Sequence, residues 1–89
     1  MFVDRFYPGD GRDWLPAKKL EEFYGGTLWG VRDKLDYIES LGVGCIWLSP
    51  TWKSPTYHGY DVTDYLAIHP DYGSLDDFKR LCQAAHARR

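Results

Sequence analysis

The chain has 89 residues, 44% hydrophobic and 27% charged, so it holds one domain at most and is not of the low-complexity kind. Its 11 basic and 13 acidic residues give a net charge of −2, with no basic run longer than Arg88-Arg89. That leaves nucleic acid or an acidic membrane without electrostatic support as a partner. No stretch approaches the roughly 20 apolar residues of a spanning helix. Met1-Phe2-Val3-Asp4-Arg5 lacks the apolar core of a signal peptide, which points to the cytoplasm.

In chain order, residues 1–7 are apolar and aromatic and read as the tail of a strand. Pro8-Gly9-Asp10-Gly11-Arg12-Asp13 reads as loop, because each of these residue types favours turn geometry. Residues 14–26 are mixed and close on Gly25-Gly26. A helix follows over 27–41: Leu28, Val31, Leu35, Ile38 and Leu41 recur at helical spacing and make one apolar face. Thr27 is the natural N-cap, Gly42 stands where a left-handed residue ends a helix, and Gly30 weakens the interior slightly. Gly44-Cys45-Ile46-Trp47-Leu48 is a short apolar run that Ser49-Pro50 stops. Its lack of alternation fits a strand covered on both faces, as in parallel sheets. A long loop runs to about Gly73. Ser74 then caps a second helix, with Asp77 at the capping-box position and Asp76 and Asp77 at the positive end of the dipole. Leu75, Phe78, Leu81, Cys82 and Ala85 form its apolar face, and Arg88-Arg89 closes it.

The order strand, loop, helix, strand, loop, helix predicts an α/β fold with parallel strands and right-handed crossovers. Two strands and two amphipathic helices leave both sheet edges open, so residues 1–89 read as a piece of a larger domain, with no separate second domain. The long loops follow strands and the helix-to-strand link is short. That asymmetry gathers sites at the carboxyl ends of strands. Cys45 and Cys82 have no Cys or His at metal-ligand spacing, which argues against zinc and leaves two buried thiols or a disulfide.

The loop from Trp47 to Tyr65 collects two Trp, three Tyr, a His and two Asp among Pro, Gly, Ser and Thr. Together with "DRFYPGD", "GGTLWGVRDKLDYIESLG", "GVGCIWLSP", "YHGYDVTDY" and "GSLDDFKRLCQAAHARR", it resembles the opening of the catalytic domain of α-amylase family glycoside hydrolases. Within that family the likeness is to neopullulanase, maltogenic amylase and cyclomaltodextrinase types. It covers nearly the whole chain, in order and in spacing. It implies a partial (β/α)8 TIM barrel, about the first two βα units, from a retaining enzyme acting on α-glucan or maltodextrin. "DRF" would trail the first strand and Gly44–Leu48 would be the second. The family's nucleophilic aspartate, acid/base glutamate and third aspartate lie on later strands, so the resemblance assigns no catalytic residue here.

Carried over by residue, Tyr60 of "HGY" matches the tyrosine that stacks on the sugar at the cleavage subsite. His58 matches the imidazole that reaches the same sugar's hydroxyls. A pyranose has an apolar C–H face and a hydroxyl edge, so a flat aromatic wall with polar groups at its rim suits it. Tyr57 stands where strict exo-α-glucosidases carry an aspartate, which tilts away from them. Some relatives bind calcium through a loop like that of Asp10 and Asp13, which could supply hard oxygen ligands. Thr27 stands where the family's further aspartate would be, so no cofactor is expected and calcium rests on those two residues alone. Asp61 and Asp64 invite a two-carboxylate reading, but aspartates at such spacing favour turns and backbone contacts. Trp47 reads as packing, and Trp52 and Tyr57 are open between packing and substrate contact. The alternatives to an enzyme segment are a non-catalytic amylase-like domain with an interaction role, which need not keep the "YHGYD" loop, and a self-contained α/β binding module. Oligomeric state is not legible.

Overall fold

The computed structural model describes residues 1–88; Arg89, the last residue of the basic pair, lies outside them. The elements are α1 (Val3–Phe6), α2 (Leu28–Asp33), α3 (Leu35–Ser40), β1 (Trp52–Lys53), β2 (Asp64–Ile68) and α4 (Leu75–Arg88). Thr27 organises the centre. Its hydroxyl accepts the Gly30 N–H (3.0 Å), capping α2, and donates to the Pro8 carbonyl (2.6 Å), tying the first loop to the helix start. The predicted helix is broken at Lys34 into α2 and α3, which run on from each other through the Ile38 N–H to Lys34 carbonyl bond (3.0 Å). Leu28, Val31, Leu35 and Ile38 face inward as the spacing demands. Leu41 does not: it lies past the end of α3 with 60% of its surface exposed, where no element reaches it. Gly42 takes the left-handed φ of 79° that ends the helix.

Gly30 has a different part from the mild weakening its helical position suggests. A Cβ there would overlap the Tyr7 carbonyl oxygen, so only glycine lets the Tyr7–Pro8 backbone cross α2 at this distance. The start of the chain also departs from expectation. Val3–Phe6 is one helical turn, not a strand, and only Met1 behaves as strand: its backbone nitrogen donates to the Trp47 carbonyl (2.9 Å) and its carbonyl accepts the Ser49 N–H (2.8 Å). That staggered exchange is the parallel pattern.

The run Gly44–Leu48 is extended but carries no further ladder among the described residues, so it is not a doubly covered strand. Ile46 and Leu48 turn toward the helices and pack on the core, while Cys45 and Trp47 (83% exposed) face away. The cysteines are both free and Cys45 is exposed, which corrects the reading of two buried thiols and removes the disulfide. The loop after it holds a two-stranded antiparallel ribbon that sequence reading missed: Trp52 pairs with Ile68 and Lys53 with Asp64, with a bulge between. Ten residues separate the strands, so no tight-turn signal announces them.

α4 begins as expected. The Ser74 hydroxyl accepts the Asp77 N–H (3.2 Å) and the Asp77 carboxylate accepts the Ser74 N–H (2.8 Å), a reciprocal capping box. Leu81 is its one fully buried anchor, with Phe78 and Ala85 half-buried against α2 and Leu75 exposed. At its far end Arg88 pairs with Asp36 (2.6 Å) and Glu39 (3.3 Å) of α3. No described helix is long and apolar enough to cross a membrane. Gly30→Ala is expected to destabilise the protein by at least about 2 kcal/mol. Ser74→Ala removes only a cap, about 1 kcal/mol. Calorimetric melting of the two variants, each made in the larger domain of which this chain reads as a piece, should rank them in that order.

Candidate functional site

The site is built outward from a buried carboxylate. Asp4, 1% exposed on α1, accepts the N–H groups of Tyr24 (2.9 Å) and Gly25 (3.2 Å) and pairs with Arg5 Nε (2.9 Å). A buried carboxylate is tolerated because its oxygens meet donors and a cation. Arg5 then reaches over the loop. Its Nη2 donates to the Leu20 and Glu22 carbonyls, and its guanidinium carbon lies 3.8 Å from the centroid of the Tyr24 ring and 3.9 Å from that of Tyr57. The cation is thus sandwiched between two π faces.

From Tyr57 the rings continue outward. The His58 ring lies edge-on to Tyr57 at 5.3 Å, and the Tyr60 ring is 5.8 Å from His58 at 33°. His58 Nδ1 accepts the Tyr60 N–H (3.0 Å) and lies 3.3 Å from the Thr56 hydroxyl. With Nδ1 accepting, the neutral imidazole carries its proton on Nε2, as a donor. Gly59 has φ of 79° between them, and a side chain there would strike the Pro50 carbonyl. The two residues that matched the family's sugar contacts therefore stand together, and Tyr60 is 62% exposed. It lines an open groove of about 1010 Å³ that also takes in Trp47, Thr51 and Trp52 and runs along Leu48 to Phe78 on α4.

Beneath this loop lies a second brace. The Tyr72 hydroxyl donates to the Tyr57 carbonyl, its ring stacks on His69 at 4.4 Å and 24°, and its own carbonyl accepts the Leu28 N–H (2.8 Å) at the start of α2. His69, 3% exposed, meets Phe23 edge-on, accepts the Asp71 N–H at Nδ1 (3.1 Å), and has an Nε2 without a partner among the described residues. Burial lowers the His69 pKa below its ordinary value, while Asp71 and Asp4 pull the other way. Burial pushes the Tyr72 phenol far above its usual range, and Asp4 and Asp71 add to this, so it stays a donor.

The remaining candidates are dispersed. Asp64 Oδ1 accepts the Leu66 N–H (2.8 Å), a local backbone contact, and Asp61 is exposed. Trp47, read as packing, is bare, and Trp52 stands edge-on to Tyr65 at 5.1 Å. Tyr57 is half-buried, with Arg5 against one face of its ring. In the calcium-type loop, Asp13 Oδ1 caps the Trp14 N–H (2.8 Å), and the Asp10 N–H donates to Asp33 (2.9 Å) with Asp10 at φ of 52°. No group of three His, Cys, Asp or Glu side chains that could hold a metal exists among the described residues.

The model of the α-amylase catalytic domain matches residues 1–89, the full length of the chain. The chain belongs to the α-amylase family. It is 44% identical to α-amylase 2 of Dictyoglomus thermophilum and 41% identical to neopullulanase 2 of Thermoactinomyces vulgaris, over 99% of its own length in both cases. It superposes with a TM-score of 0.89 and 40% identity on the α-amylase of Geobacillus thermoleovorans solved with acarbose, covering 99% of this chain and 19% of that one. The chain spans 16% and 17% of the two curated relatives. In this α-amylase family segment, the structure brings Tyr60 and His58 side by side, and it adds the bracing contacts of Asp4, Arg5, Tyr24 and Tyr72, which the sequence did not signal. Their contacts join positions far apart in the chain, and no periodicity marks them.

His69 gives a pH dependence. Its folded-state pKa lies below the ordinary 6.5. Below pH 6.5 the unfolded chain therefore binds a proton that the folded one refuses, and stability rises with pH through that window. The contribution is complete above about pH 6.5 and is lost as the pH falls. His69→Phe keeps the ring contacts and has no titrating group. Chemical denaturation of the full-length protein between pH 5 and 8 should find wild type losing stability relative to His69→Phe as the pH drops below 6.5.

Proposed function

We propose that residues 1–89 are the opening part, about two of eight βα units, of a (β/α)8 catalytic barrel that cleaves or transfers α-glucosidic bonds with retention. Its substrate would be an α-glucan or maltodextrin, and this segment contributes part of the sugar-binding wall. The observation that carries this is the Tyr60 ring: a flat apolar face left open at the mouth of a groove, with a histidine donor anchored beside it. The parallel hydrogen-bond exchange of Met1 with Trp47 and Ser49 supports the start of a parallel barrel. So do the bare side chains of Cys45 and Trp47, which further βα units would cover. The acarbose complex of the Geobacillus relative supports a carbohydrate ligand.

Chemically, Tyr60 would hold the hydrophobic side of a glucose unit and add no charge where the oxocarbenium-like transition state develops. His58 Nε2–H would meet a hydroxyl at the ring edge. The two carboxyl groups of a double displacement belong to other strands in this reading, and no residue here takes their part.

In the full-length enzyme, Tyr60→Ala is expected to lower kcat/KM on maltodextrin by about tenfold or more, while Tyr60→Phe stays within about twofold. An unchanged rate for Tyr60→Ala removes the platform. Residues 1–89 alone are expected to bind ANS, to melt without a cooperative transition and to leave maltodextrin intact. A sharp calorimetric peak from the isolated piece would instead support a self-standing module.

A further inference from the structure

We infer that Arg5 is a positioning residue for the Tyr60 sugar platform, acting through Tyr57. The inference rests on the sugar-wall reading above and adds what holds that wall in place. Arg5 touches no part of the groove. Its guanidinium is held at two nitrogens and by its faces: Nε to the Asp4 carboxylate, Nη2 to the Leu20 and Glu22 carbonyls, and the rings of Tyr24 and Tyr57 against the plane. Only a planar cation with forked donors satisfies all of these together, which an ammonium cannot.

What this fixes is the start of the loop. Tyr57 is gripped by its ring from Arg5 and by its carbonyl from the Tyr72 hydroxyl. His58 packs edge-on against the gripped ring and takes the Tyr60 N–H on Nδ1. The direction in which the exposed Tyr60 ring points is therefore set at Tyr57, three residues earlier, through the cation that pairs with the buried Asp4. Nothing else in the described residues packs on Tyr60 as a ring except His58. Without the stack, the Tyr57 ring keeps only a tilted contact with Phe2 (6.0 Å) beside its edge-on contact with His58, and its carbonyl bond to Tyr72 no longer fixes the ring's direction. Preorganisation of this kind acts on the rate through the placement of the platform and not through contact with the sugar.

A double-mutant cycle in the full-length enzyme tests this. Arg5→Met, measured on maltodextrin well below its melting temperature, should lower kcat/KM about tenfold in the wild-type background. In the Tyr60→Ala background it should lower it less than about twofold, because the group it positions is gone. Tyr57→Leu removes the same stack from the loop side and should show the same dependence; it takes the place of Arg5→Met if that variant does not fold. Equal losses in both backgrounds would reduce Arg5 to a general structural role and overturn the inference, as would no loss in the wild-type background. If Tyr60→Ala itself is silent, the sugar-wall reading fails, and the inference falls with it.

Discussion

One buried carboxylate sets the geometry of the loop side of this molecule. Asp4 sits where water cannot reach it, and an ionised group there is stable only if its oxygens are matched by donors. It recruits the Tyr24 and Gly25 amides and the Arg5 guanidinium, so segments about 20 residues apart are held at one point. Removing one partner of such a pair costs far more than the pair adds, because the other charge is left stranded. The Arg5–Tyr57 stack, the loop direction at His58 and the aspect of Tyr60 follow from that point.

The second organising centre is the start of α2. Thr27 caps the helix and holds Pro8, the Leu28 N–H takes the Tyr72 carbonyl, and Gly30 lets Tyr7 pass. Tyr72 joins the two centres, since its ring and hydroxyl reach His69 and Tyr57 while its backbone meets α2. The loop edge that carries Tyr60 and the helix layer are thereby one connected body. Next to that edge, Cys45 and Trp47 carry side chains left bare among the described residues, and the groove that Tyr60 lines runs from Trp47 along Leu48 to Phe78.

As the sugar wall proposed here, Tyr60 and His58 sit on the side of the chain that these contacts brace. Aromatic rings suit the task because they offer broad contact area with few rotatable bonds to immobilise. His58 spends one nitrogen on the loop backbone, which orients the other outward.

Local chemistry was written plainly in the chain. The Thr27 cap, the Ser74–Asp77 box, the stripe from Leu28 to Ile38 and the stop at Gly42 each depend on residues within four positions, so sequence determines them. The pairing of Tyr60 with His58 was also legible, since it lies within one short motif. Tertiary structure alone decided the rest. Val3–Phe6 looks like strand by composition but turns because Asp4 must face the Tyr24 and Gly25 amides. The ribbon of β1 and β2 forms across a ten-residue gap that no turn motif signals. Gly30 reads as a flaw in a helix until the Tyr7 backbone is laid across it. Arg5 reads as an ordinary surface cation until two distant tyrosines close on it. In each case the deciding contact joins residues that only the fold brings together, and a linear pattern carries no record of it.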